Sequence, residues 1–348
     1  MVGSSKALGP TFFLLLVLVE LGEPTRTSDF VDVATFNTAF GGDYVDDGYR
    51  KTTRVLLDLA SRNAHNWHVL AVQELFNETQ AADIVNALSE NNLWQRRWSV
   101  VHKTGVAIFT DGELLTKALS SELSRQMGDV GAVLAFNGRR DALLAFALHL
   151  QPFPYGPYSA CQGMNLTQIY SNERSTRLVH LQAVLEQREL KLVRKRDRIP
   201  ILLMGDFNTP SHQDGLVGTS SSETASCRLR RHIRWPVTVS LQVKGYVDLY
   251  RAAHSASTPG PTWSPILKRS KSFGTEPQDR IDMIWYRNPT SPQSRRTRMC
   301  ALSAAPPQTD TGESWRTGPL VEMTESGWKR NEWPSDHAAV FATLRLRC

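Results

Sequence analysis

Cysteine is scarce in this chain, with four among 348 residues: Cys161, Cys227, Cys300 and Cys348. No two form a CxxC pair, so a zinc ribbon or a dithiol redox motif is not expected, and an even number leaves two disulfides with three alternative pairings. Long apolar runs are absent beyond the amino terminus, so no later segment is suited to crossing a bilayer. No internal repeat or dividing linker is found. Neither charge sign dominates: 40 Lys and Arg against 34 Asp and Glu give a net charge of +6. That mild excess favours anionic partners such as nucleic acid, phosphorylated metabolites or acidic lipid surfaces. With 41% hydrophobic and 21% charged residues, the composition is that of a folded globular chain rather than a disordered one.

At the amino terminus, Lys6 precedes the apolar run Phe12 to Val19, and a polar tail ends at Ser28. This pattern predicts a secretory signal peptide over residues 1–27, a domain over 28–348, and a secreted, extracellular protein. Export would place the cysteines in an oxidising environment. The sequons at Asn77 and Asn165 fit a glycoprotein.

The most informative stretch is Ile199 to Thr209, Ile-Pro-Ile-Leu-Leu-Met-Gly-Asp-Phe-Asn-Thr. Its apolar run reads as a buried strand ending at Gly205. If strand geometry continued, Asp206 and Asn208 would project from one face; the alternative is an Asx-type turn.

Further strands are expected over 32–36, 69–72, 98–102, 106–109, 130–136, 142–148, 280–286 and 338–346, and helices over 50–64, 78–88 and 173–193. Segments 151–170, 255–279 and 288–332 read as loops, and Tyr246 to Tyr250 as a short strand or helix start. Roughly ten strands interleaved with at least three helices imply an α/β or α+β domain with sheet at its centre.

Polar residues recur at the ends of these strands: Asn37, Gln73-Glu74, His149, Asp206 with Asn208, and Asp336-His337, while Asp282 lies inside another strand. Each has a plain structural reading alone, as a turn cap, a helix-start carboxylate or an edge histidine. Their shared placement at strand–loop junctions points to one site.

The motifs Thr35-Phe36-Asn37, Gln73-Glu74, Leu148-His149-Leu150, Gly205-Asp206-Phe207-Asn208, Arg280-Ile281-Asp282 and Ser335-Asp336-His337 resemble the endonuclease/exonuclease/phosphatase superfamily. They occur in that family's order and span nearly the whole chain. The resemblance implies a deoxyribonuclease I-like, four-layer sandwich of two packed mixed β-sheets flanked by helices. It also implies a magnesium-dependent hydrolase of phosphoric esters, with Mn²⁺ or Ca²⁺ as alternative ions. Glu74 would be the principal metal ligand, with Asn37 and Asp336 in the metal shell. Asp206 would orient or deprotonate the attacking water, and Asn208 would hold that water or a phosphate oxygen. His337 would polarise the phosphate or act as base, with Asp282 fixing its tautomer. His149 would contact the phosphate or protonate the leaving oxygen.

The substrate expected is a phosphodiester, in nucleic acid or in a phospholipid head group. A nuclease-like monomer is the leading reading, because basic clusters at 194–198, 228–234, 268–271 and 295–298 could follow a nucleic-acid backbone. The alternatives are a sphingomyelinase-like or small-molecule phosphodiesterase or phosphatase, and a non-catalytic binding protein on the same scaffold.

Overall fold

Period-two alternation of apolar residues resolves into two six-stranded sheets in a computed structural model of the chain. The structure describes residues 28–90, 98–116, 119–121, 123, 128–214, 233–258, 260–266, 269–270, 274–290, 299–304 and 328–347. The predicted signal peptide, Cys227, Cys348 and most of the basic segments at 228–234, 268–271 and 295–298 lie outside the described residues.

In chain order the strands are β1 (Phe30–Asn37), β2 (Trp67–Gln73), β3 (Ser99–Lys103), β4 (Val106–Thr110), β5 (Glu113–Leu114), β6 (Asp129–Phe136) and β7 (Asp141–His149). They continue with β8 (Ile201–Asp206), β9 (Val247–Asp248), β10 (Arg269–Ser270), β11 (Gly274–Thr275), β12 (Asp282–Arg287), β13 (Met299–Ala304) and β14 (Val340–Leu346). The helices are α1 (Gly48–Ser61), α2 (Glu78–Glu90), α3 (Gly156–Cys161), α4 (Leu166–Glu173), α5 (Val179–Leu185), α6 (Arg188–Arg196), α7 (Pro236–Val243) and α8 (Leu249–Ala253).

One sheet runs β13-β14-β1-β2-β4-β3 and the other β5-β6-β7-β8-β12-β9. Each holds one central parallel pair, β1 with β2 and β7 with β8, among antiparallel neighbours. Val31, Val33, Val69, Ala71, Leu143, Ala145, Leu202, Met204 and Ile284 share one buried cluster between the sheets. The alternate residues point outward. Ala34, Phe36, Leu70 and Val72 meet Val55, Leu56 and Leu59 of α1 and Ile84 and Leu88 of α2. Leu144, Phe146, Leu203 and Trp285 meet α5 and α7 through Leu181, Val184, Val237 and Leu241. The result is the four-layer arrangement of helices, sheet, sheet and helices that the resemblance implied. Full burial of each such Val, Leu, Ile, Met or Phe side chain contributes roughly 1.5–3 kcal/mol.

Several local expectations need correction. The helix expected over 173–193 is interrupted by a π-turn at Arg174–Leu178 and by a break between α5 and α6. Within the π-turn Arg177 is wholly buried, and its guanidinium bonds Glu173 and the carbonyls of Gln151, Pro152 and Pro154. The segment 151–170, expected as loop, contains α3 and the start of α4, and 288–332 contains β13. Both readings of Tyr246 to Tyr250 hold, because β9 passes directly into α8 with Asp248 as its N-cap.

Candidate active site

Strand register brings distant residues together. Asn37 ends β1 beside Gln73, the last residue of β2, and His149 ends β7 beside Asp206, the last of β8. Because β12 runs antiparallel to β8, its first residue, Asp282, pairs with Asp206. Because β14 runs antiparallel to β1, the turn before it carries Asp336 and His337 to the same end. Asn37, His149, Asp206 and Asp282 share the alternation phase of the inter-sheet core, so they close the end of that core facing one another.

Gly205 makes this approach of β7 and β8 feasible. Its φ is +147°, and a Cβ there would lie 2.0 Å from the Leu148 carbonyl oxygen. Two residues of the candidate set, Glu74 at φ 59° and Asn208 at φ 49°, adopt left-handed conformations that non-glycine residues seldom take.

The contacts form a connected network. Asn37 Nδ2 donates to Glu74 Oε1 at 3.2 Å and to Asp206 Oδ2 at 3.0 Å. The Phe40 N–H donates to Glu74 Oε2 at 3.1 Å. His149 Nε2 lies 3.8 Å from Glu74 Oε1 and 3.7 Å from Asp206 Oδ2. His337 Nδ1 lies 2.9 Å from Asp282 Oδ2, while its Nε2 lies 3.8 Å from Asp206 Oδ2 and 4.0 Å from Asp336 Oδ1. All eight residues singled out in the sequence therefore belong to one neighbourhood.

Two differ in detail from expectation. Strand geometry does not continue to Asn208: its N–H donates to Asp206 Oδ1 at 2.8 Å, an Asx-type turn, and its Nδ2 donates to the Leu150 carbonyl at 2.9 Å. Asn37, expected in the metal shell, spends its Oδ1 on the Ala39 N–H at 3.0 Å and turns its Nδ2 toward two carboxylates. The Ala39 N–H fixes that orientation, since a flipped amide would face donor to donor. In this arrangement Asn37 links Glu74 to Asp206.

Charge is crowded here. Glu74, Asp206, Asp282 and Asp336 face only two imidazoles. Burial pushes the Glu74 carboxyl up; His337 and the Asn37 and Phe40 hydrogen bonds oppose this, and Asp336 adds to it. Burial also pushes Asp206 up, with Asp282 adding to it and His337 and His149 opposing. Burial holds His149 below the ordinary imidazole range, with Asp206 pulling the other way. For His337 burial also acts downward, but Asp282, Asp206 and Asp336 outweigh it and hold the imidazole well above its ordinary range.

A divalent cation suits this donor set. Carboxylates are the hard oxygen ligands that Mg²⁺ takes, usually one or two at a time with several waters. Asp282 Oδ1 is buried without a hydrogen-bond partner, and oxygens of Asp206 and Asp282 lie within 4.8 Å of one another and of a His337 ring nitrogen. In that trio, however, His337 Nδ1 is already committed to Asp282. Glu74 and Asp336 offer carboxylate oxygens outside that pairing.

Supporting residues lie partly within the quoted motifs, at Ser335 and Arg280, and partly in a segment that carried no pattern, at Thr262 and Trp263. Ser335 Oγ donates to the Asn37 carbonyl at 2.6 Å and accepts from the His337 N–H at 3.0 Å, tying the last turn to β1. Thr262 Oγ1 accepts from the N–H groups of Ile281 and Asp282, and Trp263 Nε1 lies 3.5 Å from Asp336 Oδ2. Arg280 bridges Asp248 and Asp214 in a buried brace just before β12. No periodicity or spacing marks Thr262 or Trp263.

A family model described as the endonuclease/exonuclease/phosphatase family matches residues 34–337. The chain belongs to that family. Each activity in the family's description is hydrolysis of a phosphoester, and this is the class of chemistry to which the protein belongs. An uncharacterized Caenorhabditis elegans protein, F14F9.5, is 28% identical over 344 residues, covering 95% of this chain and 96% of its own length. Among solved structures, an endonuclease/exonuclease/phosphatase family protein from Bacteroides thetaiotaomicron has 16% identity and a TM-score of 0.52, covering 90% of this chain and 97% of that one. A mannosyl-6-phosphatase from the same bacterium has 17% identity and a TM-score of 0.50, covering 90% and 99%. These two likenesses concern the fold.

Proposed function

We propose that this protein is an exported, divalent-metal-dependent phosphodiesterase. The observation that carries the reading is the meeting of Glu74, Asp206 and His337, drawn from both sheets, around the two hydrogen bonds of Asn37 Nδ2 and the His337–Asp282 pair. Intact geometry across all these positions argues against a non-catalytic binding protein, which would have no need of it.

Attack on an anionic diester brings negative charge toward negative charge, so catalysis requires positioning and compensating charge. Glu74 and Asp336 would hold the cation, which when bound supplies Lewis-acid polarisation of a phosphoryl oxygen. Asp206, pushed up by burial yet still a carboxylate at neutral pH, orients the attacking water and takes its proton at Oδ2. His337, protonated and held by Asp282, presents Nε2–H to a phosphate oxygen. His149, kept neutral by burial, faces the same space from β7 as a partner for the leaving side. Asn208 fixes the Asp206 carboxylate through its backbone N–H.

Substrate class separates the two readings drawn from the sequence. The nuclease-like reading leans on basic clusters. Of these, Arg194 to Arg198 sits where α6 enters β8, a full strand length from Asp206 at the other end. That is roughly 17 Å or more. The alternative, a lipid or small-molecule phosphodiester, is favoured by exposed Phe40, Phe76 and Phe153, which follow Asn37, Glu74 and His149 in the chain.

Export and disulfides belong to the same proposal. Both sequon residues, Asn77 and Asn165, are exposed, and neither described cysteine, Cys161 or Cys300, is a free thiol. Turnover of plasmid DNA, a phosphatidylcholine or sphingomyelin vesicle and a chromogenic diester, each with Mg²⁺ and with EDTA, tests the proposal. Hydrolysis of none of them with Mg²⁺ would refute it.

A further inference from the structure

Three phenylalanines are exposed among the described residues, and each follows a residue of the site. Phe40 lies three residues after Asn37 and is 48% exposed; Phe76 lies two after Glu74 and is 54% exposed; Phe153 lies four after His149 and is 63% exposed. The other described phenylalanines are buried or half-buried, including Phe207, directly after Asp206. Exposed phenylalanine forfeits apolar burial, so its concentration at one mouth calls for a partner.

The rings are held rather than loose. Four consecutive residues, Ala39 to Gly42, have positive φ, and this turn is fastened by Thr38 and by Gln80 Nε2 donating to the Gly41 carbonyl at 2.8 Å. Phe40 packs against Phe76 with centroids 5.6 Å apart and against Tyr44 at 5.3 Å. Phe76 lies over Gly105, where a Cβ would come within 2.4 Å of the ring. The loop bearing Phe153 is anchored by buried Arg177 through the carbonyls on either side of it.

The three loops leave strands of both sheets, β1 and β2 in one and β7 in the other, so both halves of the sandwich contribute a ring. Three exposed rings on three separate loops suit a broad apolar surface better than a single base. Two exposed cations, Lys329 and Arg330, are tied to the segment that follows the aromatic turn by the Asp46 N–H donating to the Lys329 carbonyl at 2.7 Å. Aromatic rings with basic residues beside them are what a phospholipid interface receives. No described helix is long and apolar enough to cross a membrane, so contact would be peripheral.

We infer that Phe40, Phe76 and Phe153, with Lys329 and Arg330, form a docking surface that seats the mouth of the site on a lipid–water interface, where the phosphodiester is a lipid head group. The inference deepens the phosphodiesterase reading and rests on it. Binding can nevertheless be read without turnover.

The test is flotation of the full chain with phosphatidylcholine vesicles containing a minor fraction of phosphatidylserine, in EDTA. Turnover of a soluble chromogenic diester with Mg²⁺ is followed in parallel. The wild type is expected to float with the vesicles. Phe76→Ser/Phe153→Ser is expected to lose roughly tenfold or more in partitioning per ring while soluble-diester turnover stays within about twofold. Phe76→Trp/Phe153→Trp is expected to retain binding. Should the double serine variant fail to fold, Phe153→Ser alone, at the most exposed ring, gives the same reading. Absence of wild-type flotation, or equal flotation of the serine variants, overturns the inference. So does a loss confined to binding of a single-stranded oligonucleotide, which would make the rings a base platform. Vesicle binding without turnover of any diester would instead refute the phosphodiesterase reading and leave the docking surface standing.

Discussion

His337 Nδ1 lies 2.9 Å from Asp282 Oδ2, both groups buried, with Asp282 held in turn by the Thr262 hydroxyl at its backbone N–H. This pairing fixes which ring nitrogen faces the pocket and favours the imidazolium. Asp282→Asn keeps the shape and removes the charge. The expected outcome is a folded protein whose kcat falls by about 10²–10⁴ and whose His337 imidazole titrates lower. Steady-state kinetics and NMR titration of the ring resonances check this.

Glu74 receives hydrogen bonds at both oxygens, from Asn37 and from the Phe40 N–H, which hold the carboxylate ready for a cation. Glu74→Gln is expected to weaken the apparent Mg²⁺ affinity by about 10–100-fold, on the scale of losses at metal sites. Activity titrated with Mg²⁺ measures the shift. EDTA is expected to abolish wild-type turnover, and added Mg²⁺ to restore it.

The pH–rate profile follows from two raised groups. Asp206 must be ionised to take a proton, and its pKa is raised, so the acid limb lies above the ordinary carboxylate value of about 4. His337 must be protonated to hold the phosphate, and its pKa is raised, so the alkaline limb lies above the ordinary imidazole value of about 6.5. A bell with both limbs displaced upward is expected, and Asp282→Asn should pull in the alkaline side.

Away from the reacting groups, burial pushes Asp279 up to about 7 although the Tyr155 hydroxyl donates to it. The native state therefore binds a proton that the unfolded chain releases, and stability falls as pH rises from about 4 through 7. Asp279→Asn preserves the acceptor for Tyr155 and removes that loss. Its gain over wild type is expected to be near zero at pH 4 and as much as about 4 kcal/mol at pH 8. Thermal melts at the two pH values check the sign.

Much of the site is legible in the sequence because strand register is simple. A polar residue at the end of an apolar run marks a sheet end, and Asn37, Glu74, His149 and Asp206 all carry that mark. Asp282 and His337 also lie at strand–loop junctions, but their pairing with each other comes from the family resemblance, since no spacing shows that β12 and β14 run antiparallel to their neighbours. At Asn208 the sequence leaves a continuing strand and an Asx turn open, because the two share the same residue types; the structure adopts the turn. Thr262 and Trp263 act through hydrogen bonds set by tertiary packing, and that leaves no periodic trace. The helix expected over 173–193 reads as continuous in its apolar spacing. The π-turn within it carries Arg177, which reaches a loop more than twenty residues earlier in the chain, a tertiary contact that apolar spacing does not show.

Hydrolysis of a chromogenic phosphodiester with Mg²⁺ by Asp206→Ala and by His337→Ala, each verified as folded by circular dichroism, tests the central claim most directly. Both variants are predicted to lose at least about 10³-fold in kcat, with the double variant little worse than either alone because the two groups act together. Turnover near the wild-type rate in both single variants would contradict it.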